Sequence, residues 1–231
     1  MDAREPEESL RALGGLIHAV DRKLDGEGTA RALVASAGVV RSVYELSADD
    51  LLLHPGLSRP AAEAVDLIDD LGRLMALEAF GARPVLRRAA DAAAYFSALM
   101  LGRRVEYCYL LCLDARGRML RCELLQRGTI DRSAVYMRDV ALTALRAEAK
   151  YAVLTHNHPG GSTEPSPADI EVTRGAMEAL RLVNTVFVDH IIVTDREPTS
   201  IRAAGYISEE WWLMQRPGDR LLQAWLKKRA Q

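Results

Sequence analysis

Thr155-His156-Asn157-His158-Pro159-Gly160-Gly161, followed by Ser166-Pro167-Ala168-Asp169, sets two imidazoles, a hydroxyl and a carboxylate in the order His-x-His-x7-Ser-x2-Asp. The apolar run Ala152-Val153-Leu154 leads into His156 and reads as a buried strand. In an extended chain residues two apart point to one side, so His156 and His158 share an aim while Asn157 faces away. Pro159-Gly160-Gly161 ends regular structure. Ser166-Pro167-Ala168-Asp169 has the form of a helix start, with Ser166 at N-cap, Pro167 at N1 and Asp169 at N3. Ile170, Met177, Leu180 and Val183 carry the apolar period on to Asn184. Asp169 is thus expected in a first helical turn, where negative charge is favoured.

Two imidazole nitrogens and one carboxylate oxygen suit Zn(2+) in a catalytic site, because three protein ligands leave a fourth position for water. The same donors also describe a non-haem Fe(II) site, and a His-x-His pair alone describes a hydrogen-bonded turn. Iron would offer no role for a separate general base, which metal-assisted hydrolysis requires. Glu106 is the candidate for that base. It heads the β-prone run Glu106 to Asp114, the turn Asp114-Ala115-Arg116-Gly117 follows, and a second run from Arg118 to Leu125 completes a hairpin. On spacing alone, a carboxylate at a strand's start reads first as a solvated edge charge.

With these elements in place, residues from about Ala89 to Ile207 resemble the RadC-type JAB/MPN domains that carry the JAMM metalloprotease motif. The matching segments are Glu106 heading a strand that ends Leu113-Asp114, Val135-Tyr136-Met137-Arg138-Asp139-Val140, Ala152 through Pro159, and Asp189-His190-Ile191-Ile192-Val193. The resemblance implies a mixed α/β fold, cytidine-deaminase-like, in three α-β-α layers. It also implies zinc on His156, His158 and Asp169, Glu106 as acid and base, and Ser166 as a donor to the developing oxyanion. The substrate would be a peptide or protein, cleaved at a peptide or isopeptide bond. The chain departs from the family pattern at Gly160, where a serine is usual, and at Met137, where a proline is usual. Neither departure removes a ligand.

The remaining sequence sets the frame. A chain of 231 residues that is 49% hydrophobic is expected to form one good domain and a small one. The division is read as a helical domain over 1–84, the JAB/MPN domain over 85–207 and a helical tail over 208–231. In the first, Ser47-Ala48-Asp49-Asp50 is a capping pattern, and His54-Pro55-Gly56-Leu57-Ser58 separates it from a long helix running towards Phe80. This resembles the DNA-binding helix-hairpin-helix modules that RadC-type proteins often carry, but Ser58 replaces a glycine and hinders close backbone approach to a phosphate, so it reads first as a degenerate, structural hairpin. A weak DNA contact through these helices, in a repair or recombination accessory protein, is the rival function. A ligand-free scaffold is a third reading, opposed by the full set Glu106, His156, His158, Ser166 and Asp169.

Leu86–Met100 reads as a helix, as does a segment capped by Asp131-Arg132-Ser133 and running to Ala149, with Val140, Leu142 and Leu145 against the sheet. Val186-Phe187-Val188 and Ile191-Ile192-Val193 are strand material. His190 between them reads as a core histidine before an orienting one, and His18 and His54 as ordinary surface or packing residues. Cys108, Cys112 and Cys122 read as buried reduced thiols, and no local pattern supports a cysteine nucleophile. The arginines between Arg83 and Arg127 read as a solvated face first and a phosphate-contacting patch second. Trp211 to Met214, then Leu221, Leu222, Trp225 and Leu226, form an apolar stripe expected to dock on its own domain or, second, to make a homodimer. No apolar run approaches a membrane span. The acidic start Met1 to Glu8 lacks a secretory pattern, so a cytoplasmic location is expected.

Overall fold

The computed structural model describes residues 5–44, 46–54, 56–128, 135–208 and 225. They fall into two compact units, Met1–Met75 and Ala76–Gln231. The first is helical: α1 (Glu5–Val20), α2 (Gly26–Ala37), α3 (Val40–Tyr44), α4 (Ala48–Leu51) and α5 (Arg59–Glu78), the last running past the boundary. Leu13, Ile17, Leu33, Val43, Leu51 and Val65 form its core. Helices α1 and α2 meet where no side chain fits, since a Cβ on Gly26 would stand 2.1 Å from the Gly14 carbonyl oxygen. Ser47 and Asp50 close a reciprocal capping box at α4. Gly56, at φ +94°, turns the chain towards α5; Pro55 lies outside the described residues.

The second unit is built on a five-stranded sheet in the order β2-β1-β3-β4-β5. Its strands are β1 (Tyr107–Leu113), β2 (Met119–Arg127), β3 (Tyr151–Asn157), β4 (Val186–Val193) and β5 (Thr199–Ser200), with α6 (Ala89–Met100), α7 (Met137–Arg146) and α8 (Pro167–Leu182) beside them. Among the described strands only β3 and β4 pair in parallel. Alternation along β1 sends Leu111 and Leu113 to the α6 side, with Phe96, Val153 and Ile191, and Leu110 to the other, with Met177, Leu180 and Phe187. The three α-β-α layers follow from this two-sided burial. It also explains why β1, β3 and β4 read as nearly unbroken apolar runs. At the hairpin between β1 and β2, the Asp114 carboxylate accepts from the amides of Arg116 and Arg118, and Gly117 takes φ +76°.

Two expectations change. Helix α7 spans Met137–Arg146, and its sheet-facing stripe is Val140 and Ala144; Leu142 and Leu145 are exposed. Two residues beyond Val140 is about 200° around a helix, so Leu142 turns to solvent whenever Val140 turns inward. The Asp131-Arg132-Ser133 cap lies outside the described residues. The two strand pieces after α8 are one strand, β4, with one extra residue: Ala152 pairs with Phe187 but Val153 with Asp189. Of the tail only Trp225 is described. It is buried in the cluster on the α6 side, and Trp211–Met214 lie outside the described residues. Burial pushes the thiols of Cys108, Cys112 and Cys122 up to about 12, in keeping with inert reduced groups. Among the described residues no helix is long and apolar enough to cross a membrane.

Asp189 fastens the end of this sheet. Its buried carboxylate accepts from the His190 amide at 2.7 Å, the Ser200 hydroxyl at 2.6 Å and the Arg202 amide at 3.2 Å. Burial pushes its carboxyl up to about 6, although those donors and the Arg202 charge pull the other way. The unfolded chain therefore releases this proton at lower pH than the folded one. Stability is lost as pH rises from about 4, the ordinary carboxyl value, through about 6. Asp189→Asn should remove that contribution: the difference in urea midpoint between parent and variant should change between these two values and be constant above them. A difference independent of pH would contradict the assignment. In the core, Leu180→Ala should cost ~2–5 kcal/mol and Leu145→Ala less than ~0.5 kcal/mol, both read by urea denaturation.

Candidate metal centre

Strand β3 and helix α8 bring the ligand candidates together. His156 and His158 stand at the C-terminal end of β3, where the chain leaves the sheet, and Asp169 stands in the first turn of α8. His156 Nε2 lies 2.8 Å from His158 Nε2 and 3.2 Å from Asp169 Oδ1, and His158 Nε2 lies 3.5 Å from Asp169 Oδ2. One ligand atom from each of the three lies within 4.8 Å of the others. Ligands held at ~2.0–2.2 Å stand about 2.8–3.1 Å apart in an octahedral site and about 3.3–3.6 Å apart in a tetrahedral one, and the observed contacts fall within that span.

The hydrogen bonds around the cluster aim the donors inward. His158 Nδ1 faces the Ser162 carbonyl at 2.8 Å. A carbonyl only accepts, so Nδ1 carries the hydrogen and a neutral His158 presents a bare Nε2. The Asp169 Oδ2 atom receives the Ser166 amide at 2.7 Å and the Ser166 hydroxyl at 2.8 Å, and the Ser166 hydroxyl accepts from the Asp169 amide at 3.2 Å. These are the expected N-cap contacts, a capping box with Pro167 behind it. Burial pushes the Asp169 carboxyl up, but the His158 hydrogen bond, the nearby His156 and the Ser166 donors outweigh it, leaving it well below the usual carboxylate range. Burial brings His156 down to about 4. The Asp169 hydrogen bond raises His158 above its ordinary value against burial, helped by the charge of Glu106. Two imidazole nitrogens and a buried carboxylate converge as the ligands of a divalent cation do, and the cluster could hold one.

Glu106 stands one residue ahead of β1 and is half-buried. Since Cys108 pairs with His156, continuing that register by two residues sets Glu106 opposite His158 and on the same face of the sheet. Asn157 governs this approach. Turned away from the ligands, its Oδ1 accepts from the Tyr107 amide at 2.7 Å and its Nδ2 donates to the Val105 carbonyl at 3.0 Å. It grips the backbone on both sides of Glu106. Sequence reasoning assigned Asn157 no role; its place between two histidines at a strand's end was the available signal.

His190 also touches the ligands. It is buried, with Nε2 at 2.7 Å from His156 Nδ1 and Nδ1 at 2.7 Å from the Thr173 hydroxyl. The extra residue in β4 puts it there, since Leu154 pairs with His190 and so shares its face with His156. Thr173, which sequence reasoning passed over, lies four residues beyond Asp169 on the same helix face. Elsewhere, His18 contacts the Leu24 carbonyl and His54 the Ser36 hydroxyl, both far in sequence from this cluster.

The two departures from the family pattern also find their places. Met137 lies against Gly175 of α8, whose added Cβ would meet the Met137 sulfur at 2.9 Å. A Cβ at Gly160 meets nothing within 4 Å, so the serine usual there would fit, whereas Gly161 is held at φ +76°.

The family model described as RadC-like JAB domain matches residues 86–206. A UPF0758 protein of Bordetella avium is 34% identical over 178 residues, covering 77% of this chain and 79% of that relative. A UPF0758 protein of Stutzerimonas stutzeri is 35% identical over 178 residues, covering 77% and 80%, and one of Vibrio parahaemolyticus is 31% identical over 175 residues, covering 76% and 78%. The match covers the whole five-stranded sheet, and the chain belongs to the RadC-like JAB domain family.

Proposed function

We propose that this chain is a zinc-dependent hydrolase that cleaves a peptide or isopeptide bond. The observation that carries the reading is the convergence of His156, His158 and Asp169 beside a separate carboxylate, Glu106, whose charge is felt at His158. Ligands alone would suit a storage or structural site; a neighbouring carboxylate outside the ligand set suits chemistry. A zinc ion held by the three ligands would supply a Lewis acid that acidifies water and polarises a carbonyl. Glu106 takes the proton from the attacking water and returns it to the departing nitrogen. An amide nitrogen leaves only once protonated, so a group that gives the proton back is suited to an amide. Asn157 keeps the Glu106 backbone in reach through its two hydrogen bonds. Ser166 stands beside the ligand carboxylate, its hydroxyl donating to Asp169 Oδ2. Turning that O–H towards substrate supplies the donor for the oxyanion.

The DNA-accessory alternative draws no support from charge. Residues 1–75 contain 8 Lys and Arg against 14 Asp and Glu, an acidic balance that opposes contact with a phosphate backbone.

The test joins metal content with turnover. Purified parent protein loaded with zinc should hold one ion per chain by elemental analysis and cleave members of a peptide library in a chelator-sensitive way. His156→Ala should lose the stoichiometric metal. Glu106→Gln should keep it while turnover drops by ~10²–10⁴-fold. Cleavage that survives chelation, or a Glu106→Gln variant with parental turnover, would overturn the proposal.

A further inference from the structure

The mechanism above uses His156 as a ligand but leaves His190 and Thr173 without a part. Both are buried, and both belong to one unbroken chain of hydrogen bonds. His156 Nδ1 lies 2.7 Å from His190 Nε2, His190 Nδ1 lies 2.7 Å from Thr173 Oγ1, and Thr173 Oγ1 lies 2.6 Å from the Asp169 carbonyl oxygen. Proton accounting gives the chain a direction. The Asp169 carbonyl can only accept, so the single Thr173 proton goes to it. Thr173 Oγ1 must then accept from His190, which places the His190 hydrogen on Nδ1. A neutral His190 is left with a bare Nε2, which accepts from His156 Nδ1–H. The hydrogen of His156 is thereby held on Nδ1, away from the cluster.

We propose that Thr173 and His190 are positioning residues that set the tautomer of His156, so that its Nε2 lone pair faces His158 and Asp169. The chain begins at the backbone of one ligand and ends at the ring of another, so the same four groups fix both. It is also isolated from solvent, and its direction is not exchanged with water. The bulge in β4 gains a purpose: without its extra residue Asp189, not His190, would pair with Leu154. Replacing Thr173 by valine removes the acceptor while keeping the shape. His190 then moves its hydrogen to Nε2, His156 Nδ1 must accept, and the His156 hydrogen is driven to Nε2, where it blocks the ligand position.

This inference rests on the metal-site reading above, and its test separates the two. Long-range proton–nitrogen spectra of the full chain labelled with 15N-histidine, recorded with and without zinc, should show His190 as the Nδ1–H tautomer with an unprotonated Nε2. That measurement stands whether or not the protein cleaves any substrate or retains any metal. Zinc affinity from chelator competition should fall ~10–100-fold in Thr173→Val, the range seen when groups behind a metal ligand are removed. Thr173→Ser, which restores the hydroxyl, should return it to within about twofold of the parent, and a merely packing role for the threonine methyl would not be rescued in this way. A His190 hydrogen found on Nε2 in the parent, or equal zinc affinity in Thr173→Val and parent, would overturn the proposal. Parent protein without zinc affinity would instead remove the hydrolase reading and leave the His190 tautomer to stand or fall on its spectrum.

Discussion

A carboxylate that is 1% exposed has lost nearly all its water, and the Asp169 site is organised around making that loss tolerable. An ionised group in the interior is sustained only by charges and donors placed beforehand. Helix α8 supplies them by starting at Ser166: the N-cap amide and hydroxyl both serve Asp169 Oδ2, and the first turn of a helix favours negative charge. The other oxygen is left to the imidazole of His156. One carboxylate thus satisfies the start of a helix with one atom and faces the candidate metal position with the other. A change at Ser166 would act on stability and on the ligand at once.

The second constraint is register. The pairing of Cys108 with His156 decides that Glu106 approaches the histidines from the same face, and a slip of one residue would send it to the α6 side. Both imidazoles and the base therefore depend on a single antiparallel ladder, flanked by residues buried on both faces. Asn157 locks the last rung by giving its side chain to the Tyr107 amide, where the regular ladder ends. The loop before β1 needs no regular structure of its own to hold Glu106 in place, since a single side chain fixes both of its neighbours.

Much of this was legible in the amino-acid sequence because each feature had a local cause. The histidines two apart on a strand, Ser166 and Asp169 in a capping frame with proline between, and the turn at Asp114 all follow from residues within a few positions of each other. What escaped had a non-local cause. The phase of α7 is not legible because Leu142 and Leu145 are as apolar as Val140; only the exposure of the finished helix separates them. Asn157 is polar at a position that points away from the ligands, and nothing nearby in sequence reveals that its partners are the amide of residue 107 and the carbonyl of residue 105. His190 is the buried, hydrogen-bonded histidine expected, but its contact with His156 is not legible, because an extra residue in β4 is invisible in an apolar run and decides which face His190 takes.

The same bulge explains how the sheet can carry a polar cluster without losing its core. Beside it, Val188 joins the α6-side core, Phe187 the opposite core, and Asp189 is satisfied by donors from His190, Ser200 and Arg202. Polar atoms on β4 therefore find partners close at hand, Asp189 towards β5 and His190 towards α8. A buried polar group left unmatched costs more than a hydrogen bond returns, so neither side chain would be tolerated if the register advanced evenly through Ala152 and Val153. Under even pairing the carboxylate of Asp189 would share the face of His156 and Asp169, adding a second negative group beside a carboxylate that already depends on every donor around it. The displaced register keeps that charge away and puts in its place an imidazole, whose two nitrogens accept on one side and donate on the other, as the space between a ligand histidine and a helix hydroxyl requires.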